Sequence, residues 1–198
     1  MVPTAADKPV VFCADAGEWQ RWLADHAGES DGIRLAIAKK GGEHPSVSYA
    51  EALDEALCVG WIDGRKWSLD EHHFLQGFGP RRARSIWSTI NREKATTLIA
   101  AGRMQPSGLA EVERAKADGR WDAAYQGSKT IELPDELRAA LDAEPAAAAF
   151  FETLNSQNRY AILFRLHNAK RPETRTRNIE KYVAMLARGE TIYPQKPR

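Results

Sequence analysis

Residues 48–64 read SYAEALDEALCVGWIDG, and the fold turns on how this stretch is parsed. Ser48 is placed to cap a helix, with Glu51 three residues later completing a capping box. Tyr49, Leu53, Ala56, Leu57 and Gly60 then recur at spacings of three and four, which makes one apolar stripe. Glu51, Asp54 and Glu55 fall off that stripe. Glu51 and Glu55 stand four apart, as an acid/base pair would, but acidic residues early in a helix ordinarily form a solvated face that answers the macrodipole. Gly60 ends the helix, and Asp63-Gly64 marks a corner.

Beyond the corner the period changes from helical to alternating. Arg65, Trp67 and Leu69 take one parity and Lys66 and Ser68 the other, so a strand is expected. Residues 68–71 supply a turn, and residues 72–78 (HHFLQGF) a return strand that stops at Gly79-Pro80, since proline donates no ladder hydrogen bond. A further helix follows Ser88 and runs to about Ala101.

Working outward, 198 residues with 43% hydrophobic and 28% charged content make an ordinary globular chain with a sizeable core. The segment after Val10 is too short for a signal-peptide core, and no run approaches the roughly 20 apolar residues of a membrane span. A cytoplasmic protein is expected. Cys13 and Cys58 fit neither a disulfide framework nor a zinc spacing. Residues 18–26 read as a helix with Trp19, Trp22, Leu23 and His26 on one side, residues 33–39 as a strand, and residues 39–45 as a loop. Ser107 is the expected cap of a helix over 109–117, and residues 126–132 are the expected linker. Within it, Gly127-Ser128-Lys129-Thr130 lacks the glycine spacing of a phosphate loop.

The last third carries the cleanest helical pattern. Ala147, Phe150, Phe151 and Leu154 form one stripe, Ile179, Tyr182, Val183 and Leu186 another, and Ser156 is the expected cap of a helix between them that ends before Pro172. Charge is uneven. Residues 159–198 hold 10 Lys and Arg against 3 Asp and Glu, whereas residues 1–158 hold 18 against 24. Lys170, Arg171, Arg175, Arg177 and Lys181 gather at one helix junction, suited to an anionic partner such as a phosphate backbone; the same residues also suit helix-end carbonyls or acidic groups of the molecule itself.

Residues 61–91 hold a dense aromatic and arginine set: Trp61, Arg65, Trp67, Phe78, Arg81 and Trp87, with Asp63 and Asn91 as polar company. Aromatic walls with a few convergent polar groups suit a small-molecule pocket, and arginine stacked on tryptophan can hold a planar or anionic ligand. The same residues also make a good core, and both readings stand. Catalytic signals are sparse. Cys58 sits at a helix end that disfavours thiolate, adjacent histidines at 72 and 73 point to opposite faces of a strand, and neither a Gly-x-Ser-x-Gly elbow nor a His-Glu-x-x-His word occurs.

The words YAEALDEALCVGWID (49–63), FGPR (78–81), SIWSTIN (85–91) and GRMQPSG (102–108) resemble the bacterial YdeI or OmpD-associated family, also called bacteriocin-protection proteins. So do FFETLNSQNR (150–159), YAILFR (160–165) and AKRPETRTR (169–177), and the similarity spans residues 19–194. Gly79 departs from the threonine of an FTPR-like word. The resemblance implies a non-enzymatic protein that protects against antimicrobial compounds or envelope stress by binding a small molecule or a protein partner; from the residues themselves, no cofactor or metal is expected. A nucleic-acid binder using the hairpin, Arg81, Arg82, Arg84 and the basic tail is the second class, and an enzyme of unknown reaction the third. The expected fold is α+β: a small antiparallel sheet with covering helices over 11–125, a linker at 126–132, and a basic three-helix module over 133–194.

Overall fold

The computed structural model describes residues 8–41, 44–128 and 130–196. Parts of the expected 39–45 loop and of the expected linker, residues 42, 43 and 129, lie outside the described residues. The fold is α+β, with eight helices and one four-stranded mixed sheet among the described residues. Two compact units result: one built from residues up to Trp87 together with Asn91–Ala123, the other from Ser88–Ile90 and Ala124 onward.

The first unit begins with strand β1 (Val10–Phe12), helix α1 (Ala16–His26) and strand β2 (Ile33–Ala38). β1 pairs parallel with β2, so the sheet is mixed where a purely antiparallel one was expected. Three residues are too few to show an alternation, and the parallel pairing needs the crossover that α1 supplies. Asp15 caps α1, its carboxylate accepting from the Glu18 amide at 2.8 Å. Helix α2 (Tyr49–Cys58) carries the expected capping box in full: Ser48 Oγ accepts from the Glu51 amide and Glu51 from the Ser48 amide. The hairpin is β3 (Trp61–Ser68) and β4 (His73–Pro80), and the sheet order is β1-β2-β4-β3. β3 starts at Trp61, immediately after the Gly60 turn, so the corner expected at Asp63-Gly64 is instead a β-bulge: Gly64 and Arg65 together oppose Gly77. Gln76, 5% exposed, donates its amide to Gly64 O at 2.7 Å and fixes the bulge.

The core of this unit lies between the sheet and α1 and α2. Trp19 is fully buried, its indole donates to Ala52 O at 3.1 Å, and its ring meets Phe78 at 5.7 Å. Two residues of α2 depart from the stripe expected of them. Tyr49 is exposed, its hydroxyl donating to Asp63 at 2.9 Å, while Glu55 is buried and paired with Arg103. Helix periodicity placed Glu55 off the core because a distant arginine, invisible to a local pattern, is what makes its burial tolerable.

Helix α3 (Thr89–Ala100) ends at Gly102, whose φ of +67° is the left-handed geometry of a helix stop. Helix α4 (Pro106–Ala117) starts at Pro106, with Gln105 rather than Ser107 at its cap position and no side-chain cap at all. The connector between them is pinned at each step: Arg103 N donates to Leu98 O, Met104 is buried, and Gln105 N donates to Cys58 O at 2.9 Å. α4 then crosses the end of α2 so closely that a Cβ on Gly108 would lie 2.2 Å from Cys58 O.

The second unit holds helices α5 (Asp135–Asp142), α6 (Pro145–Thr153), α7 (Ser156–His167) and α8 (Pro172–Ala187), four where three were expected. α5 escaped the pattern because its eight residues bury only Leu137 and Leu141. Those two join Phe151, Ile162, Leu166, Tyr182 and Leu186 in one core. Asn155, not Ser156, caps α7, and Pro172 opens α8 at its first position, where a missing amide costs nothing. Asn158, fully buried, straps the chain after α8 by donating to Tyr193 O at 3.0 Å and accepting from Tyr193 N at 2.9 Å.

Ser48→Ala should lower stability by about 1 kcal/mol in urea denaturation. Hydrogen bonds from Ser48 hold the Glu51 carboxyl below its ordinary range, so this contribution is present above that range and fades as pH falls through the lowered value. In the variant an NMR titration of Glu51 should move back upward. Gly108→Ala should destabilise by about 1–3 kcal/mol or more through overpacking against Cys58, whereas Gly28→Ala, with open space around it, should be neutral or stabilising by up to about 1 kcal/mol.

Candidate functional site

Paired residues of an antiparallel ladder point to the same side of the sheet. Arg34 pairs with Gly77 and Leu75 with Trp67, so Arg34, Trp67 and the bare Gly77 share the face turned away from Trp19 and Phe78. The Arg34 guanidinium lies 4.9 Å from the Trp67 ring centre and that of Arg65 5.7 Å, which flanks one indole with two cations. Glycine keeps this surface concave. A Cβ on Gly77 would meet both Arg65 O and the Trp67 ring at 3.2 Å, and Gly32, at φ +123°, lies against Phe78 O.

The result is a cleft of about 310 Å³ at the β3–β4 end of the sheet, with Asp63, Arg65, Trp67 and Phe78 in its walls together with Arg34 and Arg82. Asp63 accepts from Tyr49, and Lys8 is paired with Asp31 at the rim. The hydrogen bond from Lys8 holds the Asp31 carboxyl below its ordinary range. Gly79 belongs here too: its Cβ position is 3.3 Å from Gly32 Cα, so the room a threonine side chain would take is occupied by the neighbouring loop.

The rest of the aromatic and arginine set lies elsewhere. Trp61 is 2% exposed, with its indole donating to Ala27 O at 3.3 Å. Arg81 is 6% exposed, stacks on Trp87 at 3.6 Å and donates to Ile86 O, while Trp87 meets Trp121 edge-on at 4.9 Å. Asn91 is buried. These four are packed, and Arg82 and Ser85, one and four residues from Arg81, reach the cleft instead. In the second unit Lys170, Arg171, Arg177 and Lys181 are exposed, whereas Arg175 is turned to Glu136 at 3.2 Å and to Leu166 O. Among the described residues no group of three or more His, Cys, Asp or Glu could hold a metal ion, and no helix is long and apolar enough to cross a membrane.

A larger cleft, about 640 Å³, opens between α1, the end of α2 and the start of α4. Leu23, Ala24, Ala27, Cys58 and Val59 give it apolar walls, and Gln20, Arg21, Glu55 and Ser107 its polar groups. No local pattern marks these positions, because three helices distant in sequence meet there. The nearest signal is the GRMQPSG word, whose Gln105, Pro106 and Ser107 form one wall. Burial, reinforced by nearby Glu55, pushes the Cys58 thiol up to about 11; burial and then Glu18 and Asp15 do the same to Cys13. Desolvation, ahead of any helix-end effect, is what disfavours the thiolate.

An α+β unit with a glycine-floored cleft, followed by a helical module, is the class of protein described so far. Residues 11–111, just over half of the chain, match the family described as a domain of unknown function, DUF8412, and the chain belongs to that family. Residues 130–189 match the family described as Bacteriocin-protection, YdeI or OmpD-Associated. The resemblance to that family is thus carried by the C-terminal part, while the N-terminal words fall within the other match. No curated protein and no solved structure matches the chain.

A thiol titrating at about 11 rather than 9.0 holds about 100-fold less thiolate at pH 8. Iodoacetamide labelling of native Cys13 and Cys58 at pH 8, read by peptide mass spectrometry, should therefore be at least that much slower than in urea, and should still be accelerating above pH 10.

Proposed function

We propose that this is a cytoplasmic, non-enzymatic protein of the YdeI/OmpD-associated type that protects against antimicrobial compounds or envelope stress by binding a small molecule in the sheet-face cleft. The ligand class is planar and anionic. The observation that carries this is the Trp67 indole flanked by Arg34 and Arg65 above a floor kept open by Gly77. A planar ring can stack on the indole while its carboxylate or phosphate meets a guanidinium, and desolvation in the cleft strengthens both contacts. Asp63 lines the cleft, but its carboxylate is turned to Tyr49 on the helix-covered side of the sheet. In this proposal the N-terminal region, 11–125, holds the ligand, and the basic helical region, 133–194, displays Lys170, Arg171, Arg177 and Lys181 to a partner.

A thermal-shift panel tests the proposal, with aromatic carboxylates and aryl phosphates set beside neutral and cationic counterparts and duplex DNA, each at low and high salt. A ligand at 100 times its dissociation constant stabilises by about 2.7 kcal/mol. The expected result is stabilisation by planar anions at both salts that Trp67→Ala abolishes and Arg65→Gln weakens. Stabilisation by DNA alone, and only at low salt, would move the function to the basic helices.

A further inference from the structure

The cleft between α1, α2 and α4 takes no part in that proposal and lies away from the open face of the sheet. Its chemistry is one-sided. Leu23, 2% exposed, and Cys58, 4% exposed, form its base with Ala24, Ala27 and Val59 around them. Cys58 adds a buried residue with a polarizable sulfur to the lining. Glu55 is the one acid in the walls and is already neutralised by Arg103. Arg21, by contrast, forms no ion pair among the described residues. The start of α4 faces the same space, and no side chain caps its first-turn amides, so the positive end of a 12-residue helix is directed at the cleft.

We infer that this cleft is a binding site for a small aliphatic monocarboxylate, whose chain lies on Leu23, Ala24, Ala27, Cys58 and Val59 and whose carboxylate meets Arg21 and the open amide at Ser107. A cation finds one carboxylate here, and Arg103 already holds it. A neutral chain gains the apolar contacts but leaves Arg21 and the helix end unanswered. About 640 Å³ is room for a chain of moderate length, within the range of small-molecule sites.

The probe is octanoate, followed by isothermal titration and by ¹H–¹⁵N spectra of the whole protein, with octanol and octylamine as matched controls. Octanoate should bind at least tenfold more tightly than either control and should shift the amide of Ser107. Arg21→Gln, at an exposed position, should weaken it about tenfold, and Ala24→Phe, also at an exposed position, should fill the cleft and abolish binding. Trp67→Ala should leave it unchanged, which separates this site from the sheet-face cleft. Equal binding of octanol or octylamine, binding retained in Ala24→Phe, or no binding of octanoate by the wild type would each overturn the assignment. Unchanged melting of both variants would confirm that lost binding is not lost folding.

Discussion

The first unit depends on one backbone contact: α4 laid against the last turn of α2. Two glycines permit it. Gly108 presents no Cβ to Cys58 O, where one would sit 2.2 Å away, and Gly60, at φ +81°, presents none to Glu111 or to Ser107 O. The same carbonyl of Cys58 accepts the Gln105 amide, so the end of α2 is satisfied by the chain that crosses it rather than by water. From this point the unit is tied outward. Gly60 O receives the Arg81 amide where the hairpin closes, Glu55 receives Arg103 from the connector, and Ala52 O receives the Trp19 indole from α1.

What the sequence made legible follows the range over which each signal acts. The capping box at Ser48 and Glu51, the Gly60 stop and the hairpin are set by neighbours within a few residues, and they were readable. Glu55 was not, since its burial rests on Arg103, 48 residues on. The three-residue β1 and the eight-residue α5 carry too few positions to show a period. Pro172, the expected terminator of α7, is the first residue of α8, and both roles follow from the same missing amide.

The aromatic and arginine set divides along the pleat and the chain. Trp67 and Arg65 stand at the bulge, where the ladder breaks and side chains are re-aimed. Trp61 and Phe78 pack inward, and Arg81 is spent on the Trp87 face and a backbone carbonyl. Composition alone could not separate these roles, because a stacked arginine on tryptophan looks the same in a core and in a cleft. Burial separates them. The larger cleft had no sequence signal of its own, since it is space left where three helices meet rather than a set of residue types.

The most direct test of this account is native-state hydrogen exchange at the Gln105 amide. If the α2–α4 contact organises the unit, that amide should exchange only through the opening that releases Ala56 and Leu57, with the same free energy of several kcal/mol. Exchange at the rate of a loop amide, while Ala56 and Leu57 stay protected, would show that α4 moves independently of α2 and would contradict it.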